Sequence, residues 1–240
     1  SQQKIYFANP SFEDLPRHSN LPYMWTDCGF ERESPPDTQP GQFEVSLPPA
    51  DGNSYIGLVT RQTGAWEAFS QRLSDTLKAN QIYEFSIYLA RSDQYLSPSR
   101  LVPDRMLNFN SPVRLNIWGG NNLICDKGEL LAQSPTVEHT DWFEYKVQFR
   151  LKNDCMVLIF EAFYEDSEGE PYSGNLLLDN LSAIKQIDDL PNETLELPDS
   201  THTLKLLAAQ LILKEKYKTV LIKSPFTGIT EKDFTIEVLE

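Results

Sequence analysis

Residues 142–151, WFEYKVQFRL, alternate apolar and polar almost without a break. Phe143, Tyr145, Val147, Phe149 and Leu151 point one way; Glu144, Lys146, Gln148 and Arg150 point the other. A period of two sustained this long predicts an antiparallel strand with one buried and one wet face, because a helix would scatter the same apolar residues around its circumference. Residues 82–90, IYEFSIYLA, repeat the pattern with Tyr83, Phe85, Ile87 and Leu89 on one face, and 113–118, VRLNIW, with Val113, Leu115 and Ile117. Residues 155–164 and 175–184 are more uniformly apolar, as central strands are. Weaker strand candidates are 4–7, 43–47, 55–60 and 67–73. Between them, 31–41 (ERESPPDTQPG, three prolines), 92–112 and 165–174 read as loops. Many strands, long loops and hardly any helical periodicity before residue 190 predict a mainly β fold, an antiparallel β-sandwich or jelly roll.

The chain has the material for such a core: 240 residues, 40% hydrophobic and 11% aromatic. Its 21 basic against 35 acidic residues give a net charge of −14. That argues against nucleic acid and anionic membrane surfaces, which are gripped by clustered Lys and Arg, and is compatible with neutral ligands and divalent cations. No stretch approaches the ~20 apolar residues of a membrane span, so no transmembrane segment is expected, and no signal peptide is recognised. Cys28, Cys125 and Cys155 read first as buried free thiols. The other reading is one Cys28–Cys125 disulfide, since both lie in loop-like Gly/Asn/Asp contexts.

After residue 185 the texture changes. The first domain is expected over 1–187, a Pro- and acid-containing linker over 188–199, and a small αββ appendage over 200–240. Ser200 or Thr201 can cap a helix over 202–217, with Leu204, Leu207, Ala208 and Leu211 forming its apolar stripe. A strand at Thr219–Lys223, a Pro225–Gly228 turn and a terminal strand with Phe234, Ile236 and Val238 follow. Such a unit is too small to stand alone. It must pack on the sandwich, on a second copy or on residues outside this chain.

Four landmarks then fall in order: Asn9-Pro-Ser-Phe-Glu13; Leu77 followed by Asn80 and Tyr83; Trp142-Phe-Glu-Tyr145 with Phe149; and Leu177-Leu-Asp179-Asn180-Leu181-Ser182. Together they span roughly residues 8–185 and resemble the galactose-binding-domain-like β-jelly-roll carbohydrate-binding modules. The long loops at 14–42 and 92–112 and the C-terminal piece depart from a compact module. The helix-then-strand order of that piece is similar to part of a peptidoglycan-binding outer-membrane domain, without the Asp- and Arg-containing motifs. The resemblance implies a bacterial, secreted or cell-surface protein, with the periplasm as a further compartment. It also implies a structural Ca²⁺ held by Glu13 and Asp179, with Asp51 and the carbonyls of the 51–54 turn completing the hard-oxygen shell.

The residues themselves suggest a sugar-binding surface, because sugars are held by aromatic faces and planar polar side chains. Arg114, Asn116 and Trp118 lie opposite the apolar face of 113–118, and Tyr88 lies opposite that of 82–90; Trp66 and Tyr95 offer an alternative at the loop edge. Catalysis is not expected. His18, His139 and His202 are scattered, no nucleophile or phosphate-loop motif appears, and nothing singles out a carboxylate pair among Glu67, Glu84, Glu144 and Glu161. The function expected is non-catalytic recognition of a polysaccharide or other glycan. The alternative is a structural or adhesion module binding a surface protein, with self-association through the appendage.

Overall fold

A computed structural model describes residues 4–121, 123–188 and 219–223. Sixteen strands are found among them. β1 (Lys4–Ile5), β2 (Thr26–Asp27) and β3 (Asp37–Gln39) are short; β4 (Tyr55–Thr60), β5 (Ala68–Leu77) and β6 (Ile82–Ala90) follow. The next are β7 (Leu96–Pro98), β8 (Met106–Asn108), β9 (Ser111–Pro112), β10 (Arg114–Gly120) and β11 (Glu129–Gln133). The last are β12 (Phe143–Arg150), β13 (Cys155–Phe163), β14 (Gly174–Asp179), β15 (Ile184–Ile187) and β16 (Thr219–Lys223).

Two sheets carry the fold. The five-stranded sheet runs β11-β10-β13-β5-β2, and the larger sheet runs β1-β15-β6-β14-β4-β3, with β12 on the other flank of β6. Alternating strands bury one face of each sheet against the other. Phe85, Ile87, Val147 and Phe149 from the larger sheet and Leu115, Ile117, Leu158 and Phe160 from the smaller share one core cluster. At its centre the rings of Phe69 and Phe160 stack at 5.2 Å, and Trp25 meets Phe69 edge-on at 5.2 Å. The fold is the mainly β antiparallel sandwich expected from the alternation.

Four local expectations are corrected. Residues 175–184 are two strands rather than one: Asn180 adopts φ 48°, a left-handed conformation that Asn tolerates and that ends β14. Residues 43–47 do not form a strand. Gln42–Glu44 is a 3-10 turn in which Phe43 and Glu44 take positive φ, which no extended chain does. The proline-rich 31–41 segment contains β3, a short edge strand that pairs with β4 and is bridged on its other side by Arg17 at Thr38, with the prolines outside the strand itself. The 92–112 loop contains β7 and β8, a hairpin of its own, and β9.

The strand expected at Thr219–Lys223 is β16. It pairs in parallel with β12, Glu144 opposite Thr219 and Gln148 opposite Lys223, so this strand extends the larger sheet. The helix expected over 202–217, the terminal strand and most of the linker lie outside the described residues.

Candidate functional site

The outer face of the five-stranded sheet follows directly from the alternation of β10 and β13. If Leu115, Ile117, Leu158 and Phe160 point inward, Arg114, Asn116 and Trp118 point outward with Glu161, Ile159 and Phe163. Cross-strand register sets these in rows: Arg114 opposite Phe163, Asn116 opposite Glu161, Trp118 opposite Ile159. On the far side of β10, Gln133 stands opposite Asn116. At the other edge Trp66, just before β5, lies 6.3 Å from the ring of Phe163 and meets Phe30 edge-on at 6.1 Å.

Glu161 is the hub of this face. Its carboxylate accepts hydrogen bonds from Asn116 Nδ2 and from Trp118 Nε1, each at 3.1 Å, and pairs with the Lys127 ammonium. Gln133 Nε2 donates in turn to Asn116 Oδ1 at 2.8 Å. The Lys127 Nζ also lies 3.7 Å from the Trp66 ring centroid and 5.4 Å from that of Trp118. A buried carboxylate with this many donors is satisfied and fixed in orientation, and it fixes the Trp118 indole and the Asn116 amide with it. Trp66 and Trp118 both remain partly exposed. The arrangement is a rigid aromatic and amide surface, suited to holding a polyhydroxylated ring against two indoles.

Lys127 reaches this position because its loop is tethered twice. Cys125 forms a disulfide with Cys28 at the end of β2, and Ser70 on β5 donates to the Ile124 carbonyl at 2.6 Å. The reading of Cys28 and Cys125 as free thiols is therefore overturned in favour of the disulfide; Cys155 is free and buried. The tertiary fold brings the two loops together across a sequence separation of 97.

A second concavity, about 290 Å³, opens at the β3–β4 edge of the larger sheet and is lined by Asp37, Arg61, Glu67, Tyr95, Phe43 and Arg100 among others. Arg61 Nη2 donates to Glu67 Oε1 at 2.8 Å and to Ser34 Oγ at 2.9 Å, and its Nε lies 3.1 Å from Glu33 Oε2. Burial pushes the Glu67 carboxyl well above the usual range, with Arg61 opposing and the Asp37 charge reinforcing the shift. Asp37 is raised for the same first reason, and Tyr95 Oη donates to it. These ion pairs and hydrogen bonds knit the 31–45 and 92–112 loops onto the sheet, although the buried Arg61 Nε makes no hydrogen bond of its own.

The third feature is the seam between the first and last strands. Asn9, at φ 50°, accepts from the Glu13 N–H through Oδ1 at 2.9 Å and donates through Nδ2 to the Glu13 carbonyl, shaping the turn that buries Phe12 in the core. Glu13 Oε1 then accepts from the N–H groups of Asn53 (2.8 Å) and Ser54 (3.2 Å). Asp179 Oδ2 accepts from the N–H groups of Ala50 (2.8 Å) and Asp51 (3.0 Å), and Asp51 accepts from the Ser11 hydroxyl. Glycine is required at position 52: it has φ +63°, and a Cβ there would meet Glu13 Oε1 at 2.2 Å. Burial raises the Asp179 carboxyl to about 7 against the pull of its N–H donors. The 50–54 turn thus offers Glu13 and Asp179 its N–H groups. Among the described residues no three His, Cys, Asp or Glu side chains converge as a metal cage.

With this geometry in hand, comparison with known proteins adds a likeness of architecture. No family model and no curated protein matches the chain. Among solved structures the chain is similar to an arabinose-bound α-L-arabinofuranosidase, at 9% identity and TM-score 0.46 over 76% of this chain and 26% of that one. It is also similar to the CBM22-1 xylan-binding domain from Paenibacillus barcinonensis Xyn10C, at 17% identity and TM-score 0.39 over 69% of this chain and 87% of that one. A third is the family 11 carbohydrate-binding module of a Clostridium thermocellum cellulosomal cellulase, at 12% identity and TM-score 0.41 over 80% of this chain and 98% of that one.

The residues singled out from sequence divide between faces. Trp66, Arg114, Asn116 and Trp118 share the outer face of the five-stranded sheet. Tyr88 lies on the larger sheet, cross-strand from Glu144 and Asp179, where burial and the charges of Glu144 and Asp51 raise its hydroxyl. Tyr95 is fully buried beside Asp37 in the second concavity. Sequence reasoning met Glu161 only as one strand carboxylate among several, and it passed over Lys127, Gln133 and Phe163. The one available signal for Glu161 was a charge inside an apolar strand, CMVLIFEAFY, where an unpaired carboxylate is costly.

Proposed function

We propose that this chain is a non-catalytic glycan-recognition module whose binding surface is the outer face of the five-stranded sheet. The observation that carries the reading is the Trp66–Glu161–Trp118 cluster. Two partly exposed indoles flank a carboxylate that Asn116, Trp118 and Lys127 hold in place. Indole faces take the C–H-rich faces of sugar rings, and the fixed amides of Asn116 and Gln133 take hydroxyls, with little ordering cost on binding. A disulfide that joins distant loops suits an oxidising compartment, which supports secretion or display at the cell surface. The decisive experiment is affinity electrophoresis through gels containing polysaccharides: the wild type is retarded and Trp118→Ala is not. Free migration of the wild type through every polysaccharide tried would reject the reading.

Calcium carries no step in it. For the seam we propose a clasp that closes through the hydrogen bonds of Glu13 and Asp179, and a chelator tests this against the metal expectation.

A second reading, a module that binds a protein, is favoured by one observation. The β7–β8 hairpin ends in a tip where Leu101 (59%), Val102 (45%) and Met106 (56%) are exposed. Replacing all three by Ser would abolish partner capture on this reading and leave polysaccharide retardation untouched on the first.

A further inference from the structure

The charges on the outer face of the five-stranded sheet do not all cancel. The Lys127 ammonium is neutralised by Glu161. Arg114 lies two residues along β10 from Asn116 and cross-strand from Phe163; its side chain makes no hydrogen bond and no ion pair among the described residues, and its Nε is buried without a partner. Arg114 and the exposed Glu165 both act electrostatically on the Tyr172 hydroxyl, and no ion pair joins the two. In a chain with a net charge of −14, an unpaired guanidinium in a row of sugar-compatible side chains is a specific feature.

On the reading of this face as a glycan platform, we propose that it selects glycans bearing a carboxylate, with Arg114 as the residue that receives it. A planar guanidinium offers paired N–H donors that match a sugar carboxylate, and that charge-assisted pair is stronger than any hydroxyl contact available to it. The register supports the geometry. Arg114 and Trp118 lie on the same face four residues apart, roughly 13 Å along the strand, enough for a ring on Trp118 and an acidic group two sugar positions or one branch away. The overall negative charge sets the other limit. A densely charged polyuronate is repelled by the rest of the surface, so the ligand class is a mainly neutral polysaccharide carrying isolated uronic-acid units.

The test uses one polymer in two chemical forms: glucuronoxylan, and the same glucuronoxylan with its carboxyl groups reduced to alcohols. Affinity electrophoresis and titration calorimetry are run on the wild type and on Arg114→Gln, Arg114→Lys and Trp118→Ala. The wild type is expected to bind the native polymer about tenfold more tightly than the reduced one. In Arg114→Gln the two forms bind alike, and Arg114→Lys, which keeps the charge but not the fork, falls between. Equal binding of both forms by the wild type overturns the carboxylate inference and leaves the platform standing. Failure of the wild type to bind either form, or full binding by Trp118→Ala, overturns the platform and the inference with it. A melting curve for each variant, matched to the wild type, keeps lost binding distinct from lost folding.

Discussion

Trp66 and Glu67 are neighbours in the chain, yet they serve two different concavities. The Trp66 ring carries the Lys127 ammonium 3.7 Å from its centroid on the outer face of the five-stranded sheet, while the Glu67 carboxylate, 2% exposed, pairs with Arg61 at 2.8 Å beside the second pocket. Successive side chains of an extended segment leave on opposite sides, so this pair couples the indole of the platform to a buried ion network beneath the loops. Glu67→Ala would leave Arg61 with Glu33 as its remaining counter-ion, so it should cost less than the roughly 3–5 kcal/mol of a fully stranded buried charge, read as a drop in denaturant midpoint.

Removing the indole of Trp118 deletes a partly exposed ring that packs on the small buried cluster of Cys28, Ala68, Val157 and Ile159, apart from the main core between the sheets. Trp118→Ala and Trp66→Ala are each expected to weaken polysaccharide binding at least about tenfold, as aromatic anchors do at interfaces. Calorimetric titration against the retarding polysaccharide reads this directly. Glu161→Gln is expected to weaken binding without removing any ring, because it releases Lys127 and loosens the indole that Glu161 fixes. Unaltered affinity in Glu161→Gln would show that this hub has no part in positioning the site.

Reducing the Cys28–Cys125 bond frees the loop that carries Lys127. A crosslink closing a loop of this length contributes about 4–5 kcal/mol in the chain-entropy view, so the melting temperature should fall by about 10 °C or more in reductant. Cys28→Ser should fall by the same amount and become insensitive to reductant. A melting temperature unmoved by reductant would remove the tether from the account of the platform.

The seam makes stability depend on pH. Burial first of all raises Asp179 to about 7 in the folded protein, far above its range in the unfolded chain. Between about pH 4 and 7 the folded state therefore holds a proton that the unfolded state has lost. Stability falls as pH rises through that window, by at most about 1.4 kcal/mol per pH unit for one group. Asp179→Asn removes this group's share of the slope and leaves that of Asp37 and Glu67, whose carboxyls burial raises as well. Denaturant melts at pH 4.5 and 7.5, with EDTA and with added Ca²⁺, check both points. A clasp made of hydrogen bonds is indifferent to chelation, whereas a metal seam loses melting temperature in EDTA and recovers it with Ca²⁺.

Phe160 sits where both sheets meet, stacked on Phe69 at 5.2 Å and wholly buried. Phe160→Ala should cost about 3–5 kcal/mol through lost contact and the cavity left behind, measured as a drop in denaturant midpoint without a change in slope.

Much of the architecture is legible in the alternation of β6, β10 and β12, since side-chain direction in a strand is fixed by parity alone. The same parity put Arg114, Asn116 and Trp118 on one non-core face. It carries no information on which sheet each strand joins. For that reason Tyr88, with a pattern as good as that of Trp118, stands on the other sheet beside Asp179. Left-handed residues such as Phe43 and Asn180 were equally hidden, because their backbone is set by loop packing rather than by propensity.

The chain's own order of residues determined that there would be strands and which of their faces would be dry. Only the tertiary structure decided that Glu161 would be the hub, that Lys127 would arrive there on a loop anchored by Cys125, and that Arg114 would be left without a counter-ion. Those are relations between segments far apart in sequence. Sheet order and loop closure create them, and neither is encoded in any local period.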